Sequence, residues 1–124
     1  MRRTPDPSVA RWLIANESDA HISAVALGEI AYGIEKVRPH EKSARLAGAF
    51  DLIRQRYAGR IHPFDEHCVP TYGRVMGEAK KRGRPMQPGD GMIATIALVR
   101  NAALATRNSS HFEIPDLRLI DPWA

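Results

Sequence analysis

A chain of 124 residues, 44% hydrophobic and 26% charged, has the makeup of one globular domain large enough to bury a core. Its net charge of +4 leans toward an anionic partner such as nucleic acid, although an ordinary basic surface gives the same figure. No apolar run approaches the roughly 20 residues of a membrane span, Met1-Arg2-Arg3-Thr4-Pro5 lacks a signal-peptide core, and the lone Cys68 excludes an internal disulfide. These features predict a cytoplasmic protein with no membrane partner.

In chain order, Asp6 and Pro7 read as the cap and first position of a helix that places Val9, Trp12 and Leu13 on one face. Ala20–Ser23 is a short strand candidate. Ser23 then caps a helix over 24–37 whose main apolar face is Leu27, Ile30, Ala31 and Ile34. The opposite side carries Val25, Ala26, Tyr32 and Gly33, so this helix is apolar nearly all round and is expected to be buried. Glu29 is the only charge between Ala24 and Ile34. It either points into a cleft, or is paired, or sits at an exposed edge of the helix.

Pro39 ends that helix. A second, amphipathic helix follows over 41–57, with Leu46, Phe50, Ile53 and Tyr57 in register and Gly59 as its stop. Arg60–Phe64 is the next strand candidate. Asp65 is expected to cap a helix running to about Arg82, with Val69, Tyr72, Met76 and Ala79 as its buried stripe and a bend at Pro70. Lys80, Lys81, Arg82 and Arg84 crowd its end. They fit the helix dipole, and they equally fit a patch for an RNA backbone.

The segment from Gln87 to Phe112 organises the rest. Gln87-Pro88-Gly89 reads as a turn, and Asp90 as the N-cap of a helix over the uncharged run Gly91–Val99. Ala102–Thr106 reads as a buried strand ending in the polar turn Arg107-Asn108-Ser109-Ser110. Leu117–Ile120 is the last strand candidate. Helices leading into short apolar strands predict an α/β fold with a mainly parallel sheet and helices on both faces. In such folds ligands sit at the carboxyl ends of strands, which makes Thr106, Arg107 and Asn108 site candidates.

Two lone acids in apolar helices, Glu29 and Asp90, suggest a further chemistry. Carboxylates that converge repel unless a cation joins them, and oxygen ligands suit Mg²⁺ or Mn²⁺. Against this stands the plainer reading of Asp90 as a helix cap.

Several blocks resemble the PIN-domain ribonuclease toxins of the VapC and FitB-like type: PDPSVARWL, SAVALGEIAYGIEKV, RIHPFDEHCVPTYGRV, GRPMQPGDGMIATIAL, LATRNSSHFEI and LRLIDPW, in the family's order. The resemblance covers essentially all of residues 1–124, read as a single domain. It implies a three-layer α/β/α fold and a metal-dependent endoribonuclease, the toxin of a type II toxin–antitoxin pair, cutting RNA with Mg²⁺ or Mn²⁺. Glu29 matches the family's second acid and Asp90 its third. Asn108 stands as the further metal ligand, Thr106 and His111 as supporting polar groups, and Arg82, Arg84 and Arg107 as phosphate contacts. Where many members have Asp before Phe112, this chain has His111. The resemblance also implies a homodimer and a cognate antitoxin. The family opens on an apolar strand ending in its first acid, and the basic, Pro-rich start of this chain has no counterpart of it. The expected alternative is therefore a non-catalytic toxin remnant that only binds its antitoxin or dimer partner.

Overall fold

A computed structural model of the chain describes residues 11, 21–39, 41–105 and 109–120. The expected first helix after Asp6, the Thr106-Arg107-Asn108 turn and the closing Asp121-Pro122-Trp123 lie outside the described residues. The chain divides into two compact units, with the break between His62 and Pro63. No helix among the described residues is long and apolar enough to cross a membrane.

In the unit before the break, β1 (Ile22–Ser23) leads directly into α1 (Ala24–Lys36). Ser23 is extended, and its hydroxyl oxygen accepts a hydrogen bond from Ala26 N–H at 2.9 Å, the capping bond its position predicts. Helix α2 (Glu41–Arg56) follows, and β2 (Ile61–His62) closes the unit. β1 and β2 pair in parallel, Ile22 with Ile61 and Ser23 with His62. Ile22, Leu27, Ile53 and Tyr57 form the buried cluster, with Ala26, Phe50 and Ile61 packed on it. The expected stripe of α2 is thus the stripe that buries, and Gly59 adopts the left-handed φ of +85° that a helix stop uses. The outer side of α1 is less buried than its composition implies, since Tyr32 is 63% exposed with Lys36 over its ring.

The unit after the break is built on two helices. A 3-10 turn (Glu66–Cys68) precedes α3 (Val69–Lys81), and α4 (Pro88–Val99) packs against α3. Both helices end on the same hydrogen-bond pattern. Gly83 N–H donates to Lys80 O and Arg84 N–H to Ala79 O, with Gly83 at φ +75°. Asn101 N–H donates to Leu98 O and Ala102 N–H to Ala97 O, with Asn101 at φ +53°. This is the Schellman closure, which needs a residue at ease in the left-handed region, and Gly and Asn are the two that tolerate it best. β3 (Leu104–Ala105) and β4 (Leu119–Ile120) then pair in parallel, Leu104 with Leu119 and Ala105 with Ile120.

All strand pairing among the described residues is parallel, as expected. It occurs as two separate two-stranded sheets. Two local expectations need correction. Asp65 makes no capping bond, because the 3-10 turn intervenes, and Pro70 lies in the first turn of α3, where its missing N–H costs nothing, so no mid-helix bend arises there. The buried side of this segment is Cys68, Val75 and Ala79, while Val69 is 54% exposed at the helix start. Tyr72 and Met76 are half-buried on the flank that meets α4.

Candidate active site

The N-terminal turn of α4 supplies a buried acid, Asp90. Gln87 is the N-cap, extended at φ −67° and ψ 145°, and Pro88 takes the first helical position, where its fixed φ starts a helix. Gly91 N–H donates back to Gln87 O at 3.0 Å, the first bond of the helix. Asp90 is therefore not the cap that the sequence suggested. It lies inside the first turn and is buried, 3% exposed. A carboxylate there gains from the positive end of the helix dipole, which offsets part of the cost of taking it out of water.

The rest of α4 explains how the acid comes to be buried. Ile93, Ala94, Ile96 and Ala97 are buried along with Thr95, whose hydroxyl donates to Gly91 O at 2.7 Å within the helix. That bond satisfies the one other polar side chain in the buried stretch. Gly91 lets the start of α4 approach α3 closely. A Cβ on Gly91 would stand 2.3 Å from Met76 Sδ and 3.2 Å from Tyr72 Cε1. Tyr72 is itself set edge-on to Phe64, ring centres 5.4 Å apart.

Asp90 has a titratable neighbour in His111. His111 Nδ1 lies 3.8 Å from Asp90 Oδ2, and the imidazole is 45% exposed against 5% for the Asp90 side chain. The distance is an ion-pair distance when His111 is protonated, and too long for a hydrogen bond. His111 belongs to a 3-10 turn (Ser109–Phe112), anchored by the buried ring of Phe112. Residue 111, where the resemblance expects a further Asp, thus faces Asp90 with an imidazole.

The other candidates are distributed more widely. Glu29 sits in the middle of α1, half-buried and engaged with other groups of the protein. It belongs to the unit before the break, and Asp90 to the unit after it. Thr106, Arg107 and Asn108 lie outside the described residues. Arg82 and Arg84 are exposed at the end of α3, and Arg84 is ion-paired with Glu113. Among the described residues, no group of three or more His, Cys, Asp and Glu side chains gathers at one point. The pattern of residues did not reveal the Arg84–Glu113 pair, and only the family resemblance set His111 at the same site as Asp90. Neither pair is close in sequence, so no local periodicity could report it.

Comparison with known proteins fits this arrangement. Residues 1–117 match the PIN domain. The VapC ribonuclease Y4jK of Sinorhizobium fredii is 31% identical over 96% of this chain and 86% of its own. Toxin FitB of Neisseria gonorrhoeae is 30% identical over 99% of this chain and 90% of its own. The solved structure of FitAB bound to an IR36 DNA fragment superposes with a TM-score of 0.80 at 30% identity, covering 99% of this chain and 87% of that one. Family match, relatives and fold agree along nearly the whole chain, and the protein belongs to the PIN-domain family.

Proposed function

We propose that this protein is the toxin of a type II toxin–antitoxin pair, a cytoplasmic endoribonuclease that hydrolyses RNA phosphodiester bonds and is restrained by a cognate antitoxin. Residues 1–124 form its single PIN-like domain, which works as a homodimer. The observation that carries this reading is Asp90, a carboxylate buried in an otherwise uncharged helix of a chain whose relatives include a VapC ribonuclease. A buried acid is costly to keep for structure alone, and a site is the ordinary reason to keep it.

PIN-domain ribonucleases work with divalent metal ions, and the donors here suit one. Glu29 and Asp90 offer hard oxygens of the kind Mg²⁺ and Mn²⁺ take. We assign Glu29, Asp90 and the side-chain carbonyl of Asn108 as the ligands, and Glu29 and Asp90 as the catalytic pair. His111, 3.8 Å from Asp90, favours Mn²⁺ over Mg²⁺, because an imidazole suits Mg²⁺ poorly. When bound, the ion supplies a Lewis acid that activates water against the phosphodiester. The chain supplies the positioning. Asp90 is held rigidly by the packed start of α4. Thr106 orients the ligand shell or a phosphate oxygen. Arg82, Arg84 and Arg107 hold the RNA backbone by its phosphates, which fixes register without reading sequence.

The test is a calorimetric Mn²⁺ titration of the full chain beside a Glu29→Gln, Asp90→Asn double variant, with RNA cleavage assayed on both. The proposal expects metal binding and cleavage in the parent chain and loss of both in the variant. A folded parent chain that neither binds Mn²⁺ nor cleaves RNA would leave only the antitoxin-binding remnant.

A further inference from the structure

His21 and His62 meet at the edge where β1 and β2 pair. His21 Nδ1 lies 2.6 Å from His62 Nε2, the ring centres are 4.8 Å apart and the ring planes differ by 12°. The centre-to-centre distance is close to the longest that such a short nitrogen contact allows. The rings therefore meet edge to edge in nearly one plane, nitrogen facing nitrogen. Ile22 and Ile61 turn into the buried cluster, and strand alternation sends His21 and His62 to the opposite face. His21 is exposed and His62 half-buried, so the gap between them is reachable from solvent.

Two imidazoles in this arrangement share one hydrogen, with one nitrogen donating and the other accepting. A neutral imidazole can instead carry its proton on its other nitrogen. With His21 protonated at Nε2 and His62 at Nδ1, both facing nitrogens present lone pairs to the same gap. That arrangement is repulsive on its own and is the one a borderline transition-metal ion requires. Zn–N bonds of about 2.0–2.1 Å at a tetrahedral angle set the two nitrogens about 3.3 Å apart. The rings need to separate by well under 1 Å, roughly, a shift within reach of small side-chain rotations. Arg60, the neighbouring cation on β2's approach, is drawn aside over the Tyr57 ring, 4.5 Å from its centre, with its guanidinium donating to Arg56 O.

We propose that His21 and His62 form a second metal site, specific for a borderline divalent ion such as Zn²⁺, which cross-links β1 to β2. His21 Nδ1 and His62 Nε2 are the protein ligands. No third His, Cys, Asp or Glu joins them among the described residues. This site is separate from Asp90 in ligand chemistry. Imidazole nitrogen selects Zn²⁺, Ni²⁺ or Cu²⁺ and leaves Mg²⁺ to the carboxylates. Because one ligand immediately precedes β1 and the other lies in β2, binding also stabilises the folded state by mass action.

The experiment is a calorimetric Zn²⁺ titration of the full chain in excess Mg²⁺, repeated on His21→Gln, His62→Gln and His111→Gln. One Zn²⁺ equivalent is expected for the parent chain, weakened about tenfold or more in His21→Gln and in His62→Gln and unaltered in His111→Gln. No Zn²⁺ binding, binding unaltered in both His21→Gln and His62→Gln, or binding lost only with His111 overturns the proposal. Ring-nitrogen NMR on the unmodified chain gives a second reading that no folding defect can confuse. Zn²⁺ must move the signals of His21 Nδ1 and His62 Nε2, and a response confined to other histidines overturns it equally.

Discussion

His111 presents its Nδ1 to Asp90 Oδ2 across 3.8 Å, joining a half-exposed imidazole to a buried carboxylate at the start of α4. Where the family resemblance expects a pair of acids, this chain places an acid and a base. The difference bears on which ion the site prefers and on how the protein behaves without one.

A His111→Asp substitution restores the acid pair and should separate those two effects. Two close carboxylates oppose each other's ionisation when no cation lies between them. The metal-free variant is expected to lose about 1 kcal/mol of stability, a typical cost for a single unfavourable substitution. Mg²⁺ should then bind about tenfold more tightly, since another hard, charged ligand has been added. Thermal melts with and without Mg²⁺, together with Mg²⁺ calorimetry, check both parts. A variant that is less stable in both conditions and binds no more Mg²⁺ would show that residue 111 does not face the metal.

Gly91→Ala tests how tightly the Asp90 turn is seated. Alanine is favoured over glycine in a helix by about 1 kcal/mol, so the helix alone predicts stabilisation. Here the new methyl meets Met76 Sδ at 2.3 Å and Tyr72 Cε1 at 3.2 Å. Overpacking of this kind costs about 1–3 kcal/mol. Methionine is pliable and gives way partly, so the net expectation is a loss of about 1 kcal/mol. Adding Met76→Ala should recover part of it, and a double-mutant cycle by urea unfolding should show coupling of about 0.5 kcal/mol or more. Additive effects would mean that the two side chains do not meet.

The helices of the first unit test the division between capping and core. Ser23→Ala removes the bond to Ala26 N–H and should cost about 1 kcal/mol. Ile53→Ala opens a space in a position only 2% exposed and should cost about 2–5 kcal/mol. Denaturant unfolding of both variants should place Ile53→Ala clearly as the more damaging. The reverse order would mean that the Ile22–Leu27–Ile53–Tyr57 cluster is not the core of that unit.

These positions also show what the sequence could tell. Ser23 and Gly59 mark helix ends, and each does so through a bond or a dihedral confined to one turn, so local sequence suffices. The α2 stripe was equally legible, because a two-sided helix announces its buried face by spacing. Asp90 was misplaced by one kind of ambiguity. Pro88-Gly89 reads as a turn, yet proline is also a favoured first helical residue, and burial against α3 decides in favour of the helix. The stripe of α3 shifted for a similar reason, since the helix starts only at Val69 and leaves that residue outside the packed turns. The pairing of His21 with His62, of Asp90 with His111 and of Arg84 with Glu113 had no local trace. Each depends on segments brought together by the fold.

Arg84 carries the last prediction. Its guanidinium is paired with Glu113, both side chains more than half exposed. An exposed pair of this kind contributes about 0–1 kcal/mol to stability, so Glu113→Gln should leave the melting temperature nearly unchanged. Freed of its carboxylate, Arg84 becomes available to a phosphate, and the RNA itself no longer faces a negative charge at that point. RNA binding by Glu113→Gln should therefore strengthen, with a steeper dependence on salt. Arg84→Ala should do the opposite, weakening binding across unrelated sequences and reducing the salt slope by about one counterion. Arg82→Ala should behave like Arg84→Ala but show no dependence on Glu113. Filter binding or fluorescence anisotropy across a salt series, with single-stranded RNA and Ca²⁺ in place of the working ion, measures all three. If none of them changes the salt slope, the end of α3 is a helix terminus balanced against its dipole, and the RNA lies elsewhere.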